Sequence, residues 1–315
     1  MIKDHHEIAC IRQANKISAS AHRAVLRNIT RFKNEAQIQG IFVDVCITKG
    51  AKQSYSVIAG SGENAGTLHY IKNNEPLKDR QLVCLDAGAE FEAYASDVTR
   101  TFPISGSWPS SEARNIYSLV QLMQETCIKQ LRPGVKMIDL HKDAHKIATA
   151  GLLKLGLLHN GTAEEILMAG TSRAFFPHGL GHHLGLDVHD VNGVPIMRYV
   201  EAQSAILDTA NARAPCLPDQ PLLEEGMVIT IEPGIYFSRY ELCRAWLHSP
   251  VHSKFIDKVV LEKYWAVGGV RIEDDMLITA TGSENLTTAP KGEAALEIIR
   301  NGSRRKNTDD TDEDV

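Results

Sequence analysis

The chain has 315 residues, of which 43% are hydrophobic and 23% charged, with a formal net charge of −5. That length supports a sizeable buried core and that balance is ordinary for a globular enzyme, while the negative charge argues against nucleic acid as the main partner. The one basic cluster, Arg304, Arg305 and Lys306, runs directly into acids, and no apolar run approaches the roughly 20 residues of a membrane span. The start, "MIKDHHEIAC", lacks the apolar centre of an export signal. Cys10, Cys46, Cys84, Cys127, Cys216 and Cys243 form no CxxC pair. They read as buried free thiols of a reducing compartment, so the expected location is the cytoplasm.

Ile8, Ile11, Ala14, Ile17, Ala21, Val25 and Ile29 recur in steps of three and four and predict an amphipathic helix over 5–29. Ile38, Ile41, Phe42 and Val45 predict a second. A third starts at "PSSE" with Ser110 as cap and stops at Pro133-Gly134; a fourth runs from Met137 to about Leu157. Between and after them lie β-rich runs: "SYSVIAG", "LVCLDAG", "ASDVTRTF", "MVITIEPGIYF" and "GGVRIEDDMLIT". The irregular alternation points to an α+β fold. Residues 192–225 hold four prolines and read as a long loop, and "NGSRRKNTDDTDEDV" reads as a polar, disordered end.

Acids inside these apolar runs carry the chemistry. Asp86 ends one strand and Asp97 begins another, joined by a link short enough for a hairpin, so the two strands should be neighbours. Glu232 shares a strand face with Val228 and Thr230, and Glu273 shares one with Arg271. A buried carboxylate needs a partner. Taken singly, each acid fits an ion pair with Arg100 or Arg271; together with a histidine cluster, four of them fit a divalent-metal site.

"HGLGHHLGLDVHD" places four histidines within residues 178–190. His178 and His182 have the spacing of a zinc-protease helix. However, Gly179, Gly181 and Gly185 disfavour a helix by about 1 kcal/mol each. The run therefore reads as a turn entering a strand, with His183 facing away from the site.

These motifs, together with "SGENAGTLHY" at 61–70, resemble the M24 metallopeptidases, the pita-bread enzymes, in their aminopeptidase P and prolidase branch. The resemblance implies a curved antiparallel sheet flanked by helices. It also implies two divalent ions, Mn²⁺ first among the candidates, and a hydroxide between them that attacks the Xaa-Pro bond of peptides with proline second. By the resemblance, Asp86 is a bidentate ligand, Asp97 and Glu273 bridge both ions, and His182 and Glu232 complete the second ion's set. His178, His189 and Glu232 take catalytic places, with His189 near the scissile carbonyl, and Glu232 moves the proton. His69 lines the substrate pocket, with Tyr236 and Arg271 orienting ligands or the intermediate.

Residues 1–301 are then one catalytic domain without the N-terminal domain of the relatives, followed by a tail at 302–315. The resemblance allows a homodimer. The segment "SRYELCRAWLHSPVHSKFIDKVVLEKYWAVG" between Glu232 and Glu273 is expected to wall the pocket or to be a surface excursion. Two other readings remain: a prolidase confined to Xaa-Pro dipeptides, and a non-catalytic pita-bread binding module or inactive short form. Methionine aminopeptidase shares the ligand pattern but fits "SGENAGTLHY" less well.

Overall fold

The computed structural model describes residues 1–191, 196–197 and 220–309, with the backbone alone for 303–309. Helix α1 (His5–Asn28) begins at a capping box in which Asp4 and Glu7 satisfy each other's backbone N–H groups. Helix α2 (Glu35–Thr48) opens on the same device, built from Asn34 and Gln37. Strands β1 (Lys52–Gln53), β2 (Ile58–Ser61), β3 (Leu82–Asp86), β4 (Ala89–Phe91), β5 (Tyr94–Ala95) and β6 (Thr99–Pro103) follow. Helix α3 (Ser111–Ile128) starts at Ser110, which accepts from the Ala113 N–H as expected. Helices α4 (Met137–Lys154) and α5 (Ala163–Ala169) come next, the latter ended by left-handed Gly170. Strands β7 (Val228–Ile231) and β8 (Gly234–Tyr236), helices α6 (Arg239–Arg244) and α7 (Lys258–Leu261), and strands β9 (Gly269–Arg271), β10 (Asp274–Ile278) and β11 (Ser283–Asn285) lead to α8 (Glu293–Asp309).

The strands form antiparallel sheets ordered β2-β3-β6, β11-β10-β7, β1-β4-β5 and β8-β9. Lateral bonds join them: Thr101 Oγ1 donates to the Arg271 carbonyl, and Glu273 N–H donates to the Thr99 carbonyl at 3.1 Å. One core cluster lies between the β2-β3-β6 sheet and α1, α2 and α8, around Ile17, Phe42, Leu85, Phe102 and Ile299. A larger one lies between α3, α4 and β7–β10, around Val120, Leu152, Phe176, Ile231 and Ile272. Every named side chain in these clusters is removed from water, which supplies the main driving force for docking the helices.

The β3–β6 pairing expected from the short link is present, with Asp86 opposite Thr99, but the link folds into a second hairpin, β4–β5. The expectation that each acid lies within a strand needs correction. Glu232 follows β7, and Glu273 falls in the gap between β9 and β10. Pro233 explains the first break, because it has no N–H for a ladder. The histidine-rich run is not a strand either: among 178–190 only His183 makes a β-bridge, to Ile229. Gly181 lies so near β7 that an added Cβ would sit 1.9 Å from the Thr230 carbonyl oxygen.

The segment 238–268 is neither a pocket wall nor a surface excursion. Its short helical turns bury Leu242, Trp246, Phe255, Ile256, Leu261, Tyr264 and Trp265 in the larger core cluster. The expected loop over 192–225 falls mostly outside the described residues. Helix α8 carries the chain to Asp309, within the segment expected as a tail, anchored by Ala295, Leu296 and Ile299. Among the described residues five cysteines are free; four are buried, but Cys243 is exposed, contrary to expectation, because it lies on the solvent side of α6. Among the described residues no helix is long and apolar enough to cross a membrane.

Candidate metal centre

A cleft of about 510 Å³ is lined by Asp86, Asp97, His182, Glu232 and Glu273, all five candidate ligands. The β3–β6 ladder delivers the first two. Asp86 closes β3, Asp97 precedes β6, and Tyr55 Oη lies 2.6 Å from Asp86 Oδ1 and 2.5 Å from Asp97 Oδ1. The break after β7 delivers Glu232, and the break before β10 delivers Glu273.

His182 enters because residues 180–184 run beside β7: Thr230 N–H donates to the His182 carbonyl, and His182 N–H donates to Thr230 Oγ1. Its Nδ1 is 2.9 Å from the His183 carbonyl. A carbonyl only accepts, so Nδ1 carries the proton and Nε2 faces the cleft, 3.4 Å from Asp97 Oδ2 and 3.3 Å from Glu232 Oε1. Asp97, His182 and Glu273 each place one ligand atom within 4.8 Å of the others.

The electrostatics is that of crowded carboxylates. Burial raises the pKa of Glu232 to about 7, against the opposing charge of His182. Burial, followed by the charges of Asp97 and Glu232, pushes Glu273 well above the usual range. Asp86 is also raised by burial, although Arg271 Nη2 donates to its Oδ2 at 2.6 Å. Burial disfavours charge on both Asp97 and His182. Their hydrogen bond outweighs it, lowering the Asp97 pKa and, with the charge of Glu232, raising that of His182 to about 9.

Glu273 is satisfied on one side only. Its Oε2 accepts from Thr99 Oγ1 at 2.6 Å, but its buried Oε1 has no hydrogen-bond partner. Such an orphaned acceptor costs about 1–3 kcal/mol, and more when charged. Four carboxylates and an imidazole whose Nε2 faces them, one carboxylate oxygen unpaired, fit divalent cations.

The other expected residues fall around this centre. His189 is exposed on the cleft, its ring centroid 4.4 Å from that of His182, and burial followed by the charge of His182 lowers its pKa. His69 lines the same cleft. His178 does too, but both its nitrogens are engaged, Nδ1 with the Gly179 carbonyl and Nε2 with Tyr236 Oη, each at 2.8 Å. Burial, followed by the charge of Arg271, lowers its pKa to about 3, so it is neutral. Tyr236 does not line the cleft; it sits behind, accepting from Arg271 Nη1 at 2.9 Å. Arg271 thus links Asp86, Tyr236 and, through Thr99, Glu273. Arg100, the other arginine offered as an acid's partner, instead pairs with Asp274 at 2.8 Å.

Sequence reasoning missed Tyr55, Thr99 and Asp275 as supports. Asp275 Oδ2 accepts from the Asp97 N–H at 3.0 Å and from Asn15 Nδ2 at 2.8 Å. The third acid in "EDD" was the available signal for Asp275; nothing local marked Tyr55, whose role depends on the neighbouring strands.

A probable Xaa-Pro aminopeptidase of Pyrenophora teres f. teres (strain 0-1) is 62% identical over 96% of this chain and 34% of its own length. One of Aspergillus fumigatus (strain CBS 144.89 / FGSC A1163 / CEA10) is 57% identical over 96% of this chain and 62% of its own. The chain thus spans about a third to three fifths of the length of these relatives. The solved structure of aminopeptidase P from E. coli with the inhibitor Pro-Leu superposes with a TM-score of 0.77 at 34% identity, covering 96% of this chain and 60% of that one. The fold is therefore the α+β pita-bread fold. Residues 9–280 match the sequence profile of metallopeptidase family M24, and the chain belongs to that family.

Proposed function

We propose that this chain carries the catalytic centre of a Xaa-Pro aminopeptidase, which hydrolyses the bond before proline and releases the N-terminal residue. Membership in a metallopeptidase family implies divalent metal ions. The finer reading is a pair of ions, with Mn²⁺ favoured by a set of four carboxylates and one imidazole. The observation that carries the proposal is the convergence of Asp86, Asp97, His182, Glu232 and Glu273 on one cleft, with Glu273 Oε1 unpaired. The relatives named as probable Xaa-Pro aminopeptidases supply the substrate class.

In this reading Asp97 and Glu273 would serve both ions, Asp86 one of them, and His182 and Glu232 the other. When bound, such ions lower the pKa of water and polarise a carbonyl oxygen. The chain's own groups do the rest. Glu232 takes the proton of the attacking water and passes it toward the departing proline nitrogen. His189, exposed on the cleft beside His182, donates to the oxyanion. His178, kept neutral by burial and the charge of Arg271 and held in place by Gly179 and Tyr236, presents a ring edge to substrate rather than exchanging protons. Ile58, Leu68, Ile71 and Val188 add apolar wall to the cleft, suited to a pyrrolidine ring. The Xaa-Pro amide has no N–H, so such a pocket needs no acceptor for one.

A peptide panel digested by purified, manganese-loaded protein and read by mass spectrometry tests this. Release of the first residue from tripeptides and longer peptides with proline second is the expected result. Cleavage of Xaa-Pro dipeptides alone would replace it with the prolidase reading. No cleavage of either, with metal bound, would replace it with a binding role.

A further inference from the structure

We propose that His6, Cys10 and Glu92 form a second, peripheral site for a thiophilic divalent cation of the zinc class, tying the first turns of α1 to the tip of the β4–β5 hairpin. The inference is independent of the peptidase reading. It uses none of the residues of the main centre.

The three side chains come from two elements that the fold packs together. His6 and Cys10 are four apart on α1 and therefore on one helix face. Glu92 occupies the turn between β4 and β5. Cys10 Sγ lies 3.9 Å from His6 Nε2 and 3.6 Å from Glu92 Oε2, and one ligand atom from each residue falls within 4.8 Å of the others. A tetrahedral ion with bonds of about 2.3 Å to sulfur and about 2.0–2.1 Å to nitrogen or oxygen separates its sulfur from those atoms by about 3.5 Å. At the two sulfur contacts only tenths of an ångström of movement are needed, and His6 and Glu92 are exposed, so their side chains can close on each other.

The hairpin tip is held in an unusual conformation at this point. Glu92 (φ 48) and Ala93 (φ 68) are both left-handed, although neither is glycine. Next to them Tyr94 Oη donates to Glu7 Oε1 at 2.9 Å, which fixes the tip against α1. Asp4 and Glu7 add negative charge around the cluster, and His5 is the other titratable group on that turn. Cys10 donates its thiol proton to Glu92 Oε2 in the absence of an ion. Burial, followed by that bond, raises the thiol pKa. Ion binding breaks the S–H bond, releases one proton to the buffer and forms a metal–thiolate bond, with no change of oxidation state. The resulting set of sulfur, nitrogen and oxygen leaves one position open, and its sulfur distinguishes it from the main centre. The segment it would stiffen is the one that joins Asp86 to Asp97.

Cobalt titration of the full chain, with the main centre loaded with manganese, reads this site through the near-ultraviolet thiolate-to-cobalt charge-transfer band. The band should saturate at one ion per chain in the wild type and in Asp97→Asn. It should vanish in Cys10→Ser, and in Glu92→Gln, an exposed change that leaves the core untouched, cobalt should bind ~10-fold more weakly or worse. Zinc should raise the thermal midpoint of the wild type by more than that of Glu92→Gln at the same concentration. A band that survives Cys10→Ser, one that depends on Asp97, or no band at all overturns the proposal.

Discussion

Tyr55 places its hydroxyl 2.5 Å from Asp97 Oδ1 while touching Asp86 Oδ1 at 2.6 Å. A phenol has one proton to donate. It donates to one of the two carboxylates at a time and so ties Asp86 to Asp97. Tyr55 thereby fixes the spacing of two proposed ligands without being one. Tyr55→Phe should lower metal affinity or turnover roughly 10- to 100-fold, the usual effect of removing a ligand's outer partner. Metal titration beside a circular-dichroism melt checks it: the melt should change little, and an unaltered affinity would remove Tyr55 from the support of the centre.

Asp97→Asn tests the bridging role. The amide is nearly isosteric and can keep the contact with Tyr55, but it removes a charge shared between two proposed ions. Turnover should disappear while the far-ultraviolet spectrum stays the same. Near-normal activity would contradict the assignment of Asp97 as a ligand.

Metal removal should be felt increasingly as pH rises. Glu232 has its pKa raised from 4.5 to about 7, so folding opposes its charge, and the penalty grows across that interval. His182 is raised from 6.5 to about 9, so its contribution is full below 6.5 and is lost on passing about 9. Both make the metal-free protein less stable from about 4.5 to about 9. Asp97, with its lowered pKa, acts the other way but below this window, around 3.8 and under. Bound cations favour the charged carboxylates and the neutral imidazole, so the gap in thermal midpoint between loaded and chelated protein should widen with pH. A gap that stays constant or narrows would show that these groups do not face the ions.

Gly181→Ala should damage both fold and site. The added methyl would meet the Thr230 carbonyl oxygen at 1.9 Å, and backbone cannot swing aside as a long side chain can. The loss of stability should be about 1–3 kcal/mol, read from urea unfolding. Displacement of the neighbouring His182 should weaken metal binding at the same time. A variant with wild-type stability would mean that the 180–184 segment is free to move off β7.

Much of this was legible in the sequence because it was periodic or chemically costly. The stripe from Ile11 to Val25 gave α1, and Ser110 gave the start of α3. The acids stood out because a carboxylate in an apolar run demands a partner. What stayed hidden depended on contacts between distant segments. Glu232 and Glu273 looked like strand residues, yet they occupy the breaks between β7 and β8 and between β9 and β10. The stretch after Gly181 looked like a strand, but it only shadows β7. Tyr55 had no local signature, since its two partners come from β3 and from the turn before β6. The segment 238–268 read as a pocket wall or an excursion, and only the packing of Trp246, Phe255 and Trp265 shows it to be core.

The five proposed ligands are distributed from Asp86 to Glu273, so no local stretch assembles the centre. Closing so long a loop is slow and is rewarded only when the far strands arrive. During synthesis Asp86 and Asp97 leave the ribosome well before Glu232 and Glu273 exist. On the proposed ligand set, ion capture would be a late event that locks a finished architecture, and a nascent chain halted before residue 273 would have no complete cage in which to retain a cation.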